Sequence, residues 1–383
     1  MRIAILHSRY LSGQASGENR AVDDDIQLLT EAGHEVRSWT PSPSAHTLRG
    51  RALVGLSAVW SSQAVRQIND LVGLWGADIV HLHNLFPLLS PAAIRAAAGK
   101  SGVVMTLHNY RLMCLPASFL RDGRPCEDCL GRLPWRGVTR RCYRESYSGS
   151  AALATSLTTH RWLSTFDRVD RFLAVSDFVR DKHIEAGIDA SRVTVARQFA
   201  WPTIPRKGPG DYFLYLGRLA ENKGAATLIE GWSEHLGRLL IVGDGPQMEH
   251  LRSIAPRAVE FCGLVRAETV PGLLRGARAL LVPSLVYDAA PRAVAEAYAA
   301  GVPVLASRIG GLPEVVRDGE SGMLLTPGAP DDWATAIERL LDDGESMRLG
   351  TGASHLWSTR HRPEHALNRL QDAYDTVRLH STP

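Results

Sequence analysis

Short apolar segments of strand length alternate with helical patterns along almost the whole chain, and this alternation constrains the fold more than any other feature. The segments are "RIAILHS", "ADIVHLHN", "GVVMTLHN" and "RFLAVS" in the first half, and "YFLYLGR", "RLLIVGDG", "VEFCG", "ARALLVPS" and "VPVLAS" in the second. Strands that are apolar throughout are buried on both faces, as in parallel sheets covered by helices on both sides. The pattern therefore predicts an α/β fold built from doubly wound sheets.

The alternation is interrupted near Gln198 by "FAWPTIPRKGPGD", which contains three prolines and two glycines and is typical of a linker. A chain of 383 residues is long enough for two domains. We predict an N-terminal domain over residues 1–200 and a second domain over residues 201–360. Residues 361–383 have helical periodicity and either close the second domain or pack back onto the first.

Composition and charge limit the classes of function. Apolar residues make up 45 % of the chain and charged residues 22 %, and the net charge is only +3. This charge is too small to favour a nucleic acid as the main partner. The sequence has neither a run of about 18 apolar residues nor a secretory pattern at its start, so we expect a cytoplasmic location.

Polar residues follow the strands of the second half where a ligand site is expected, because open parallel sheets bind ligands at the carboxyl ends of their strands. Arg218 and Lys223 follow "YFLYLGR", and Asp288 follows "ALLVPS". Gly243, Asp244 and Gly245 end "RLLIVGDG". Two cations together with glycines that admit a close backbone approach suit a diphosphate.

The apolar helix in "YDAAPRAVAEAYAAGVPV" adds an anion site and two carboxylates. Pro291 is predicted at the first helical position, so the amides of Arg292 and Ala293 would point outward and bind a phosphate with the helix dipole. Asp288 precedes the helix and Glu296 lies within it, and carboxylates accept hydrogen bonds from hydroxyl groups. This arrangement favours a nucleotide sugar. Alternatively, Arg292 and Glu296 simply pair on the helix surface.

These motifs, in this order, resemble the retaining glycosyltransferases of family 4. The resemblance rests on "GRLAENKG", "IVGDGP", "FCGLV", "VPSLVYDAAPRAVAEAYAAGVPVLAS" and "GGLPEVVRDGESGMLL", together with "SGEN", "ADIVHLHNLFPLLSP", "TLHNYR" and "AVSDFVRD". It covers about Met1 to Leu340 and implies the GT-B fold, in which two Rossmann-like domains face a central cleft. It also implies transfer of a hexosyl group from a UDP- or GDP-sugar to an acceptor hydroxyl, with retention of configuration.

The resemblance assigns roles to individual residues. Arg218 and Lys223 would bind the donor diphosphate, Glu296 the ribose and Asp288 the donor sugar, although the family signature has two glutamates and Asp288 is shorter by one methylene. Backbone at Leu264 and Val265 would touch the base, Gly17 would approach the phosphate, and His108 would lie by the reacting carbon or the acceptor. Without the resemblance, a histidine at a strand end is more often a local hydrogen-bonding group. We expect no catalytic metal, because the cations already neutralise the phosphate.

Residues 111–145 form a segment rich in arginine and cysteine. Cys114, Cys126, Cys129 and Cys142 have the spacing C-x₁₁-C-x₂-C-x₁₂-C, which fits a structural zinc site. Unligated or disulfide-linked thiols and an iron–sulfur cluster are the alternatives. Similar insertions occur in some family members. The arginines would hold an anionic acceptor, contact lipid headgroups on the inner membrane face, or form a solvated loop. Cys262 is predicted to be a core residue.

Other classes of protein explain parts of the pattern. A nucleotide-sugar epimerase of the same fold would isomerise the donor without an acceptor. A dehydrogenase is disfavoured because no G-x-G-x-x-G follows the first strand. A zinc-ribbon module for nucleic acids would explain only the cysteines, and the small net charge disfavours it. The sequence does not identify the acceptor.

Overall fold

The computed structural model describes residues 1–10, 16–42 and 55–381. It divides into two compact units. The first unit comprises Met1–Phe119, Cys126–Ala196 and Leu367–Pro383, and the second comprises Leu120–Pro125 and Arg197–Ala366. Each unit is built around a six-stranded sheet in which all neighbouring strands are parallel. The predicted α/β fold with two doubly wound sheets is therefore confirmed.

The sheet of the first unit has the strand order β2-β1-β3-β4-β7-β8, so the chain reverses its direction of winding between β1 and β3. Its strands are β1 Arg2–Leu6, β2 Glu35–Trp39, β3 Ile79–Leu82, β4 Gly102–Leu107, β7 Arg171–Ala174 and β8 Val193–Val195. Its helices are α1 Gly17–Glu31, α2 Ser62–Asn69, α3 Ala92–Ala97, α4 Arg136–Thr139, α5 Tyr147–Trp162 and α6 Asp177–Glu185. The central strands are buried along their length because helices cover both faces.

The sheet of the second unit has the order β11-β10-β9-β12-β13-β14, and its direction of winding reverses between β9 and β12. Its strands are β9 Tyr212–Leu216, β10 Arg238–Val242, β11 Val259–Gly263, β12 Ala277–Val282, β13 Val304–Ser307 and β14 Gly322–Leu325. Its helices are α7 Ala225–Glu230, α8 Met248–Ile254, α9 Val270–Gly276, α10 Arg292–Ala299, α11 Leu312–Val315, α12 Pro330–Arg339 and α13 Asp343–Leu356. This strand order is that of the dinucleotide-binding sheets.

A hairpin and a long C-terminal helix lie outside these two sets of strands and helices. A short antiparallel hairpin pairs β5 Leu120–Arg121 with β6 Arg124–Pro125. The last helix, α14, spans Pro363–Ser381. Within the first unit, the Tyr374 hydroxyl of α14 lies 2.8 Å from Nδ1 of the buried His81. Among the described residues, no helix is both long and apolar enough to span a bilayer.

Local sequence determines where several helices begin. The side chains of Ser16, Ser61, Ser146, Ser176 and Asp342 each accept a hydrogen bond from the amide three residues further along the chain. Such caps satisfy one of the amides that have no partner inside a helix and stabilise it by about 1 kcal/mol each. The cap at Ser16 fixes the start of α1, and with it the position of Gly17.

Arg206 ties the interdomain linker to the second unit. Although it lies in the proline- and glycine-rich segment, it is buried. Its guanidinium donates to the carbonyl oxygens of Pro209 (2.7 Å), Ala277 (3.2 Å) and Arg278 (3.0 Å) and to that of Ser346 (2.6 Å). Carbonyl dipoles therefore stabilise the buried charge in place of a carboxylate. The linker is thus a packed part of the second unit.

We predict that Arg206→Ala lowers the free energy of unfolding by about 3 kcal/mol, because buried carbonyl groups lose their charged donor. Chemical denaturation followed by circular dichroism measures this change. Lys207→Ala is the matched control, since the neighbouring Lys207 is exposed. Equal stability of the two variants would show that the Arg206 contacts contribute nothing.

Candidate active site

An ion pair occupies the point of the second sheet where the direction of winding reverses. Lys223 ends a short 3₁₀ turn, Glu221–Lys223, that follows β9, and Asp288 follows β12. The Lys223 Nζ lies 2.7 Å from Asp288 Oδ2, and the Ser284 hydroxyl donates to the same oxygen at 2.6 Å. An ammonium group has three N–H donors. Lys223 therefore retains donors for a ligand, and its side chain is about one third exposed.

The loops after β9 and β12 are held against each other through backbone. Gly224 has φ +69°, and a Cβ there would lie 1.9 Å from the Pro283 carbonyl oxygen. The Leu285 amide donates to the Asn222 carbonyl at 3.0 Å. Any other residue at position 224 would push the loops apart, so this glycine fixes the position of Lys223 relative to Asp288.

The glycines after β10 serve packing between loops. Gly243 has φ +142°, and a Cβ there would lie 1.8 Å from the Gly217 carbonyl oxygen, while a Cβ at Gly245 would lie 2.2 Å from that of Leu219. The Asp244 carbonyl accepts from the Leu219 amide at 2.9 Å. These contacts account for both glycines without a ligand and place them beside the exposed Arg218 in the loop after β9.

Asp288 is also positioned by the turn after β13. A Cβ at Gly310 would lie 2.7 Å from the Asp288 amide nitrogen, and the Gly311 amide donates to the Asp288 carbonyl at 2.8 Å. Both glycines follow a strand end in the sequence. Their close approach to Asp288 is visible only in three dimensions.

Helix α10 differs from its prediction in one detail. Pro291 has ψ 123° and is the N-cap, and Arg292 is the first helical residue. The prediction of Pro291 at the first helical position was wrong by one residue, because its extended ψ keeps it outside the helix. The Ala293 amide still lies in the first turn, where amides have no partner within the helix.

Arg292 and Glu296 form an ion pair, which was the alternative interpretation of these two residues in the sequence. Arg292 Nε donates to Glu296 Oε1 at 3.0 Å, and the two side chains are 7 % and 16 % exposed. The pair is therefore largely buried and does not belong to a solvated helix surface.

The loop after β11 carries the two residues predicted to touch the base. Leu264 is half-exposed, and Val265 lines an open cavity together with Ile204 and Leu273. Cys262, within β11, is exposed. The prediction that Cys262 is a core residue was wrong, because β11 is an edge strand and this side chain points away from the packed face.

The first unit has a second site at its own reversal point, between β1 and β3. His7 follows β1, and its Nε2 lies 2.8 Å from the Asn19 side-chain oxygen. The amide of Asn84, after β3, lies 3.3 Å from His7 Nδ1. His7 thus donates through Nε2 and accepts through Nδ1, as a neutral imidazole does. Desolvation is the main cause that lowers the pKa of His7.

His108, predicted at the acceptor side, pairs with a second histidine. Its Nε2 lies 2.9 Å from Nδ1 of the buried His83, and the rings are stacked with centroids 5.2 Å apart. Desolvation lowers the pKa of His108 to about 4 and that of His83 well below its usual value. The pair therefore consists of two neutral rings that share one proton.

Glu18 is a candidate residue that the sequence interpretation missed. It follows Gly17 in the first turn of α1, and its Oε2 accepts from the Tyr10 hydroxyl (2.9 Å) and the Asn109 side-chain amide (3.0 Å). Burial raises its pKa. Glu18, His83, His108, Asn109 and Arg111 line one small cavity. Two motifs contained the signal. In "SGEN" an acid and an amide follow the glycine, and in "TLHN" an amide follows the end of the strand.

The four cysteines do not form the predicted zinc site. Within the described ranges, no group of three or more His, Cys, Asp or Glu side chains has the arrangement needed to hold a metal ion. Cys114 is buried, and desolvation raises the pKa of its thiol to about 11. The segment is held by polar contacts instead, among them Lys182 Nζ to Glu127 Oε1 at 2.8 Å and the Arg140–Asp128 ion pair.

Known proteins with similar sequences are glycosyltransferases. The chain is 28 % identical to 2-deoxystreptamine glucosyltransferase from Streptomyces kanamyceticus over 81 % of its own length and 80 % of the relative's. It is 32 % identical to D-inositol 3-phosphate glycosyltransferase from Acidothermus cellulolyticus over 72 % of its own length and 62 % of the relative's.

Solved structures show the same fold. Anabaena HepE in complex with UDP-glucose has a TM-score of 0.67 at 16 % identity and covers 98 % of the chain and 100 % of its own. Sucrose-phosphate synthase from Thermosynechococcus elongatus has a TM-score of 0.69 at 17 % identity and covers 98 % of each chain. The fold is therefore GT-B.

Family models cover both units. The model "Glycosyltransferase Family 4" matches residues 15–198, and "Glycosyl transferases group 1" matches residues 210–343. These matches include Lys223, Asp288 and Glu296 in the second unit and Glu18 and His108 in the first, whereas His7 precedes the first match. The chain belongs to glycosyltransferase family 4 and is an enzyme that transfers glycosyl groups.

Proposed function

We propose that the enzyme transfers a hexosyl group from a UDP- or GDP-sugar to an acceptor hydroxyl and retains the anomeric configuration. The observation that supports this proposal best is the Lys223–Asp288 ion pair, with Ser284, at the reversal point of a dinucleotide-type sheet. The similar Anabaena protein holds UDP-glucose, which favours UDP over GDP as the donor nucleotide.

The residues of the second unit would each bind a different part of the donor. Arg218 and Lys223 neutralise the diphosphate, aided by the amides at the start of α10. Glu296, whose Oε1 accepts from Arg292 Nε, binds the ribose hydroxyls. Asp288 binds a hydroxyl of the donor sugar, and backbone at Leu264 and Val265 contacts the base.

The residues of the first unit would act on the reacting end. Gly17, at the start of α1, lets backbone approach the donor phosphate. His108 contributes a neutral imidazole that donates or accepts one hydrogen bond at the reacting carbon or the acceptor. Glu18, Asn109 and His108, which line one small cavity, offer both donors and acceptors to hydroxyl groups of the acceptor.

The reaction proceeds by attack on the face from which the phosphate departs. The bond between the sugar carbon and the phosphate oxygen breaks, the acceptor oxygen bonds to that carbon, and the departing phosphate takes the acceptor's proton. Negative charge grows on the phosphate in the transition state, where Arg218 and Lys223 stabilise it. These cations supply the charge that Mg²⁺ provides in other transferases.

The proposal is tested by supplying UDP- and GDP-hexoses and identifying the product by NMR. Hydrolysis of one donor to a sugar of the same initial anomeric configuration is the expected result without an acceptor. Conversion of the donor to an isomeric nucleotide sugar would identify an epimerase instead. Inversion at the anomeric carbon would contradict retention.

We predict that Lys223→Ala lowers kcat/KM roughly 100-fold, because the departing phosphate loses its cation. This corresponds to a loss of about 3 kcal/mol of transition-state stabilisation. Steady-state donor hydrolysis measures this effect. The exposed Lys207→Ala is the control for loss of a lysine charge in the same unit. Turnover of Lys223→Ala near that of the control would remove Lys223 from the mechanism.

We predict that Glu296→Gln abolishes discrimination between ribose and 2′-deoxyribose donors. The wild-type carboxylate should favour the ribose donor by about 1.5 kcal/mol, the usual contribution of a hydrogen bond to a charged group. The amide oxygen keeps the Arg292 contact, and the –NH2 group that replaces the second carboxylate oxygen cannot accept a hydrogen bond from the hydroxyl. Measuring kcat/KM for both donors separates these effects, and an unchanged ratio in the variant would place the ribose elsewhere.

We predict that protonation of the histidine pair lowers the activity only near pH 4, on the acid side of the pH–activity profile. Because burial lowers the folded pKa of His108 to about 4, the neutral pair persists at every higher pH and is lost only as the pH falls through that value. Initial rates from pH 8 to 4, with circular dichroism at each pH to confirm folding, test this. A limb near 6.5 that disappears in His108→Gln would show that the ring is solvated and would contradict the account.

A further inference from the structure

Positive charge without acidic partners accumulates on one segment of the first unit. Residues 132–147 contain the exposed arginines Arg132, Arg136, Arg141 and Arg144, and Glu145 is their only acid. A fifth arginine, Arg140, is neutralised by Asp128. In the described part of the chain, none of the four exposed arginines forms an ion pair with a carboxylate.

Large aromatic side chains are exposed among these charges. Trp135 is 44 % exposed and Trp162 is 87 % exposed, whereas Trp333 in the core of the second unit is fully buried. Tyr147 is exposed as well, and the Arg141 guanidinium lies 5.4 Å from its ring centroid. Tryptophan is costly to leave in water, so two exposed tryptophans close to unpaired arginines indicate a surface that binds something.

The segment contacts both ends of α5. At the end of α5, Arg161 Nη1 donates to the Arg132 carbonyl at 2.6 Å, so the segment begins beside the last turn of the helix, which ends at Trp162. At the start of α5, Arg141 lies against Tyr147. The segment therefore runs along the helix for about 23 Å.

The opposite side of the segment is packed inward. A Cβ at Gly137 would lie 2.7 Å from Cδ1 of the buried Leu115. Gly137 thus lies on a buried side of the segment, whereas the segment's four unpaired arginines and Trp135 are exposed, and Trp162 is exposed next to Arg161, which contacts the segment. We call this the basic aromatic face, defined by Arg132, Arg136, Arg141, Arg144, Trp135 and Trp162.

We propose that the basic aromatic face binds the surface of an anionic lipid bilayer. Arginines attract acidic headgroups, and tryptophan prefers the boundary between headgroups and acyl chains, where its ring is shielded and its N–H stays hydrated. A nucleic acid would also bind the arginines, because its phosphates are recognised mainly through charge. That mode of binding does not explain two tryptophans that are more than 40 % exposed. This inference does not depend on the identity of the donor.

Flotation of the full chain with lipid vesicles tests the proposal. We expect binding to phosphatidylcholine vesicles that contain phosphatidylglycerol and little binding to phosphatidylcholine alone. Arg141→Gln/Arg144→Gln should weaken binding by about 25-fold, or roughly fivefold per arginine, since each basic residue near such a surface contributes about 1 kcal/mol. Trp135→Ala/Trp162→Ala should weaken it by at least about tenfold.

Arg252→Gln/Arg257→Gln is the matched control, because it removes two exposed arginines from the second unit. Thermal melting and donor hydrolysis without vesicles confirm that each variant is folded. The proposal is overturned if wild-type protein ignores anionic vesicles, or if the control pair weakens binding as much as the Arg141/Arg144 pair. Binding of RNA as tight as binding of vesicles, unaffected by the tryptophan changes, would identify a polyanion site instead.

Discussion

The Lys223–Asp288 ion pair is the interaction on which the proposed donor site depends. Each partner follows a strand beside the point where the second sheet reverses its winding, and each is held by backbone contacts that only glycine permits. The carboxylate positions the ammonium group, and the remaining N–H donors of that group are available to a ligand. The charge is therefore placed before the donor arrives, which is the condition for strong electrostatic stabilisation of a transition state.

The two units use their reversal points in different ways. In the second unit, Arg218 and Lys223 provide cations, as the proposed phosphate binding needs. In the first unit, burial keeps the rings of His83 and His108 uncharged, and Arg111 and Glu18 line the same cavity. Neutral rings can hydrogen-bond to hydroxyls without competing for the phosphate, which fits the chemistry proposed for donor and acceptor.

Features governed by local rules were predictable from the sequence. Apolar strands indicated parallel sheets. The rule that ligands bind at the carboxyl ends of parallel strands predicted that Lys223 and Asp288 lie at the same edge of the sheet. Features that depend on burial were not predictable. The cysteine spacing fitted zinc, but spacing carries no information on three-dimensional arrangement, and the described residues contain no group arranged to hold a metal ion. Glu18 escaped notice because an acid in the first turn commonly just complements the helix dipole; its contacts with Tyr10 and Asn109 come from tertiary structure.

The most direct test of the central claim is a calorimetric comparison of uridine, UMP and UDP, with the guanosine series in parallel. If the cations at the reversal point supply the binding energy, the diphosphate should bind at least about 100-fold more tightly than the nucleoside, with UMP in between, because charge-assisted hydrogen bonds to phosphate contribute about 1.5 to 3 kcal/mol each. Equal affinities for nucleoside and nucleoside diphosphate in both series, or no binding of either, would contradict the account.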